Sequence, residues 1–160
     1  MVVSSGGTID VGAAPPLPAA LQQATLLGAD LSSHQARCLI GEDLSGADLI
    51  LGFEHAHVTA AVMRAGAPAE RTFTLPELVE LLELAPGGWD PSGPIARARA
   101  AIARADTLRA DPGAPAQVSE IADPLGAPTE VSHRTARTIR SLTSRLADGL
   151  FGHMRVVRPT

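Results

Sequence analysis

The sequence contains neither lysine nor tyrosine, and it has one cysteine, one tryptophan and three phenylalanines. A lone thiol excludes an internal disulfide and any metal cluster built from cysteines. Aromatic residues make up 2% of the chain, so Leu, Val, Ile and Ala must build the interior. Side chains that small favour helices packed closely on a sheet. The chain has no excess of basic charge: 13 arginines face 17 acidic residues, for a net charge of −4. That balance argues against a nucleic-acid partner or an anionic lipid surface. No apolar run approaches the roughly 18 residues of a membrane span. The opening Met1-Val2-Val3-Ser4-Ser5-Gly6 lacks the basic and apolar stretches of a secretory signal, so the expected location is the cytoplasm.

What is present is a globular balance of 45% hydrophobic and 19% charged residues over 160 positions, enough for one ordinary domain. Val2-Val3-Ser4-Ser5 reads as a short strand ended by Gly6-Gly7. A helix follows Pro15-Pro16, with Leu17, Leu21, Ala24 and Leu27 on one face and Gly28 as its stop. Ser32 and Gln35 have the form of a capping box, which predicts a short helix carrying Ala36 and Leu39 inward and ending at Gly41. The apolar run from Ala47 to Phe53 predicts a parallel strand buried on both faces.

The second half has clearer periodicity. Val58, Ala61, Val62 and Ala65 predict a helix over 54–65, closed by Gly66 and Pro68. Glu70 to Phe73 reads as a shorter strand. Thr74 and Glu77 form a second capping box, opening a helix with Leu78, Leu81 and Leu82 inward. A Pro- and Gly-rich loop over 86–94 leads to a helix from about Ile95 to Leu108, and a second such loop covers 111–128. The final helix places Val131, Thr135, Thr138, Leu142, Leu146 and Leu150 on one side, with Arg134, Arg137, Arg145 and Asp148 on the solvated side. Strands alternating with helices predict an α/β fold, a three-layer sandwich with a short parallel sheet flanked by helices.

Several segments in order along the chain look like the low-molecular-weight protein tyrosine phosphatase family, which includes related arsenate reductases. Ser4-Ser5-Gly6-Gly7-Thr8 resembles the family's Ser-Ser-Ala-Gly-Thr, and Asp30, Ser32, His34, Ala36 and Arg37 fall in its Asp-x-Ser-x-His-x-Ala-Arg pattern. Asp43-Leu44 with Ala47-Asp48-Leu49-Ile50-Leu51 resembles the approach to its third strand, and Arg71-Thr72-Phe73-Thr74-Leu75 its fourth. Ile121-Ala122-Asp123-Pro124-Leu125-Gly126 is similar to the Asp-Pro loop that supplies a general acid. The resemblance implies a single domain over 1–160, a four-stranded parallel sheet, hydrolysis of phosphotyrosine-type monoesters through a phosphocysteine, and Asp123 as the catalytic acid. It implies no cofactor and no metal. Its partner would be a phosphorylated protein or a small aryl phosphate.

The family's nucleophile sits in a Cys-x5-Arg-Ser loop ahead of the Ser-Ser segment. Backbone N–H groups there cradle the phosphate and lower the thiol pKa, and the Arg grips phosphate oxygens in bidentate fashion. Here the chain begins three residues before that segment, so the loop and the central first strand are missing. The expectation is an N-terminally incomplete domain, inactive as written. The alternative is a natural pseudophosphatase, a non-catalytic binding or regulatory module. Each buried apolar side chain lost with a central strand is worth roughly 1.5–3 kcal/mol, against about 5–15 kcal/mol of net stability for a domain. A second chain donating a strand, in a homodimer by strand exchange, would restore the pairing. The family's aromatic wall has no counterpart near Ile9-Asp10-Val11, and Leu125 stands where many members carry Tyr. The related arsenate reductases use additional redox cysteines, which favours phosphoester as substrate here.

Other residues have simpler expectations. Cys38 reads as a small packed side chain rather than a substitute nucleophile. Glu54-His55-Ala56-His57 places two imidazoles two apart, whereas helical metal sites space them by four, so these are expected to be polar residues at the sheet's edge. His34 is expected to pack or hydrogen-bond near Asp30 and Ser32, and His133 and His153 to be exposed. Ser4 to Thr8 lacks the Lys-Ser/Thr that completes a Walker loop.

Overall fold

The computed structural model describes residues 2–87, 92–111 and 120–152. Its elements are α1 (Pro18–Leu26), β1 (Ile50–Gly52), α2 (His55–Ala65), β2 (Thr72–Thr74), α3 (Leu75–Leu84), α4 (Pro94–Arg109) and α5 (Thr129–Phe151), with a single 3₁₀ turn at Ala69–Arg71 before β2. The chain thus combines helices with a parallel sheet, as an α/β fold requires. Among the described residues that sheet has two strands, paired Ile50 with Thr72, Leu51 with Phe73 and Gly52 with Thr74. β1, α2 and β2 form one strand–helix–strand unit, the connection that parallel pairing demands.

The helical half is built as its periodicity predicts. Thr74 is at once the last residue of β2 and the N-cap of α3. Its hydroxyl accepts from the Glu77 N–H at 3.2 Å, and its own N–H donates to Glu77 Oε2 at 3.0 Å. Two orphan donors of the first helical turn are thereby satisfied by one residue pair. The helix then buries Leu78, Val79, Leu81 and Leu82 against α4 and α5. The close approach of α5 is recorded at Gly149, where an added Cβ would lie 3.0 Å from the side chain of Leu82. Phe73 is completely buried and joins β2 to the same cluster, with Ile102 from α4 and Leu142, Leu146 and Leu150 from α5. Leu49, just before β1, packs against it from the sheet side. The α5 stripe differs from expectation at one position. Thr138 is exposed and Ile139 takes its place against the core, because the buried row runs 139, 142, 146, 150.

α2 starts and stops where the sequence predicts. Gly66 at φ +65° terminates it in the left-handed conformation that a Cβ disfavours. Its Ala61 and Ala65 are buried, yet they lie outside the cluster formed by α3, α4 and α5.

The N-terminal third departs from expectation. Val2 to Ser5 form no strand, and Val2 and Val3 are 97% and 78% exposed. Two valines give too little apolar surface to hold a strand without a neighbour. Pairing begins instead at Gly7, whose N–H donates to the Arg37 carbonyl and whose carbonyl accepts from the Leu39 N–H, both at 2.8 Å. Gly7 and Cys38 thus form an isolated parallel bridge. The predicted helix at Ser32 is absent. The Ser32 N–H donates at 2.8 Å to Asp30 Oδ1, an Asx turn that diverts the backbone from helix. α1 forms but buries no residue; Leu21, Ala24 and Leu27 are half-covered, while Leu17 is exposed. β1 is shorter than the predicted 47–53 strand and open on one side, with Leu51 and Phe53 exposed.

Candidate functional site

The carboxyl end of β1 is where the structure gathers polar side chains. In open parallel sheets this is the end at which ligands bind. Gly52, the last strand residue, is buried, and a Cβ there would come within 2.9 Å of the His57 Cβ and 3.2 Å of the Glu54 carbonyl oxygen. Glycine therefore lets the chain turn tightly from strand into helix. His57, one turn into α2, turns its Nδ1 back on this corner and accepts from the N–H groups of Phe53 and Glu54 at 3.4 and 3.3 Å. That bonding requires an unprotonated Nδ1, and it accounts for the histidine as a cap of the strand–helix junction. Sequence reasoning missed this role. A histidine three residues after a glutamate at a helix start is the signal that could have shown it.

The segment 120–123 docks on the same corner. The Ile121 N–H donates to the Phe53 carbonyl at 2.9 Å, and the Ile121 side chain is buried in the core. On one side of it, Glu120 Oε1 accepts from the His55 N–H at 2.7 Å. On the other, the Asp123 N–H donates to Glu54 Oε1 at 3.4 Å. Asp123 is exposed, and its Oδ1 accepts from the Leu125 N–H at 2.9 Å. Gly126 follows at φ +76°, and Ala127 and Pro128 lead from it into α5 at Thr129.

Cys38 is half-buried, and it lies in an extended segment bridged to Gly7 rather than in a helix. The sixth residue after it is Leu44, so no Cys-x5-Arg spacing exists within the 160 residues. His34 is exposed, and it is Ser32, not His34, that bonds Asp30. The two Ser32 hydrogen bonds hold the Asp30 carboxyl below the usual aspartate range. His133 is half-covered rather than exposed, and His153 lies outside the described residues. His55 is exposed while His57 turns to the backbone, so the pair does not converge. Among the described residues no group of three or more His, Cys, Asp or Glu side chains is arranged to hold a metal ion. Among the same residues no helix is long and apolar enough to cross a membrane.

The Arg-rich face of α5 is solvated, as its pattern predicts. Arg145 forks onto Glu83 of α3 through Nε and Nη2 at 2.7 and 2.6 Å, which lowers the Glu83 pKa and raises that of Arg145. No protein-family model, curated protein or solved structure matches the chain.

Proposed function

We propose that this chain carries the general-acid half of a site of the low-molecular-weight protein tyrosine phosphatase type. In this reading the 160 residues alone do not hydrolyse phosphoesters, and the nucleophile comes from a Cys-x5-Arg-Ser loop that they do not contain. The observation that carries the proposal is the ordered set of resembling segments ending in Asp123-Pro124. The exposure of the Asp123 carboxyl, at the strand end where α/β folds bind ligands, supports it. The accompanying architecture is a three-layer sandwich. Its support is that α2 buries Ala61 and Ala65 apart from the cluster of α3, α4 and α5.

The chemistry divides into two proton transfers. A thiolate attacks phosphorus, the P–O bond to the phenolate breaks, and the Asp123 carboxyl gives its proton to the departing oxygen. The resulting carboxylate then takes a proton from water as that water attacks the phosphocysteine and releases the thiolate. Leu125, which replaces a tyrosine common in the family, is 70% exposed and offers an aliphatic surface beside the acid.

The decisive experiment starts from the protein isolated from the cells that make it. Mass spectrometry of its N-terminal peptide is followed by an assay of p-nitrophenyl phosphate hydrolysis with and without vanadate. The expected result is an upstream Cys-x5-Arg-Ser segment, vanadate-sensitive hydrolysis, and a loss of about 10²–10⁴ in kcat on Asp123→Ala. A folded natural product without hydrolysis would overturn the proposal, and so would full activity in Asp123→Ala. A folded natural product without hydrolysis would leave the second reading, a phosphatase-like binding module, to be tested by capture of a partner.

A further inference from the structure

The Asp-Pro segment is held by two glutamates that sit on opposite partners of one contact. Glu54 belongs to the β1–α2 corner and accepts from the loop's Asp123 N–H at 3.4 Å. Glu120 belongs to the loop and accepts from the corner's His55 N–H at 2.7 Å. Between them runs the backbone bond from Ile121 N–H to the Phe53 carbonyl at 2.9 Å. Three bonds in both directions therefore join residues 53–55 to residues 120–123, which lie more than sixty positions apart in sequence. None of the three uses the carboxylate of the exposed Asp123, whose Oδ1 accepts instead from the Leu125 N–H. The His55 N–H is an orphan donor of the first turn of α2 that Glu54, at the N-cap, does not satisfy through its own side chain. A carboxylate from outside the helix supplies that acceptor, and a charged acceptor makes the stronger kind of hydrogen bond.

We infer that Glu120 and Glu54 are positioning residues, forming a reciprocal clasp that fixes the Asp123 loop on the carboxyl end of β1. The clasp is a property of the fold in its own right; its catalytic consequence rests on the proposed phosphatase reading. A general acid must stand within hydrogen-bond reach of the leaving oxygen, and a loop free to swing by an ångström loses much of that advantage. Ile121 anchors the loop by burial, but one buried side chain leaves rotation about its own backbone open. The two glutamates restrain that rotation from either side.

The test uses amide hydrogen exchange on the chain as it stands, comparing wild type with Glu120→Ala, Glu120→Gln and Glu54→Ala. Removing a hydrogen bond to a charged acceptor should speed exchange of the His55 amide about tenfold in Glu120→Ala, with faster exchange at Asp123 and Leu125. Glu120→Gln keeps an oxygen acceptor and should restore much of the protection. Glu54→Ala should loosen the Asp123 and Leu125 amides while leaving Ile121 protected. Unchanged exchange at 121–125 in both alanine variants, with the helices intact by circular dichroism, would overturn the clasp. In an active natural product, Glu120→Ala should lower kcat and flatten the limb of the pH profile set by the acid, with KM little changed. If the natural product is inactive yet the exchange pattern holds, the phosphatase reading fails and the clasp stands.

Discussion

Arg109 closes α4 against the sheet, and replacing it is the sharpest test of how these helices are attached. Its guanidinium donates from Nη1 to the Thr72 carbonyl and from Nη2 to the Ala69 carbonyl, both at 2.8 Å. Nη2 also reaches Asp106 Oδ1 at 2.6 Å, and the planar group lies 4.2 Å from the centre of the buried Phe73 ring. The side chain retains 29% of its exposure, so water screens part of this. Arg109→Met keeps the apolar stem and deletes the charged fork. Ala69 is exposed, and water can replace the bond to its carbonyl. Thr72 is 1% exposed, so its carbonyl loses a partner that water cannot easily replace. One bond from a charged donor is worth about 1.5–3 kcal/mol, and the cation–ring contact adds about 0.5–1 kcal/mol. The half-exposed pair with Asp106, three residues back on the same helix, adds only a few tenths, about 0.3–0.5 kcal/mol. The sum is about 3 kcal/mol, a fall in Tm of about 6–12 °C for a two-state domain of this size. Urea unfolding followed by far-UV circular dichroism measures it as a lower midpoint at unchanged slope. Arg109→Lys should recover less than half, since an ammonium cannot fork to two carbonyls. A loss below about 0.5 kcal/mol in Arg109→Met would refute the reasoning, because it would mean that the buried Thr72 carbonyl loses nothing when the fork is removed.

Two further outcomes follow from the same contacts. Thr74→Ala removes the acceptor of the Glu77 N–H and should cost about 1–2 kcal/mol by urea unfolding, whereas Thr74→Ser should cost much less. The Glu83–Arg145 fork is half-exposed, so Arg145→Ala should cost under about 1 kcal/mol, less in high salt. Because the Glu83 pKa is depressed in the folded chain, its small contribution is fully present at neutral pH. It is lost as pH falls below the ordinary glutamate range and through the lowered value, which a pH series of wild type against Arg145→Ala would show.

The Asp-Pro turn at Asp123 was legible as a motif, and so was its place just before the last helix. Its surroundings were not. Nothing in the local pattern of residues 120–123 points to the corner at Phe53, Glu54 and His55, because the donors of the three bonds that join them are backbone N–H groups, and which carboxylate or carbonyl meets each is set by the docking of two segments far apart in sequence. His57 shows the same limit. Its spacing from His55 suggested a polar edge residue, but which way its ring turns depends on the tight corner at Gly52.

The sequence by itself determined the elements whose signals are local and mutually consistent. Thr74 and Glu77 satisfy each other across one helical turn, and Leu78, Leu81 and Leu82 follow at the spacing that places them on one face. α5 is specified likewise by Leu142, Leu146 and Leu150, and α2 by its alanines and the stop at Gly66. Tertiary structure decided the rest. Ser32 and Gln35 carry the same local signature as Thr74 and Glu77, yet no helix forms there among the described residues. The difference is burial: Leu78 is fully enclosed by α4 and α5, while residues 2–51 contribute no buried side chain to the core. A cap is worth about 1 kcal/mol, and an isolated short helix needs more than that to overcome the entropy of nucleation. Only packing against other elements supplies it, and which segments receive that packing is settled by the whole chain at once.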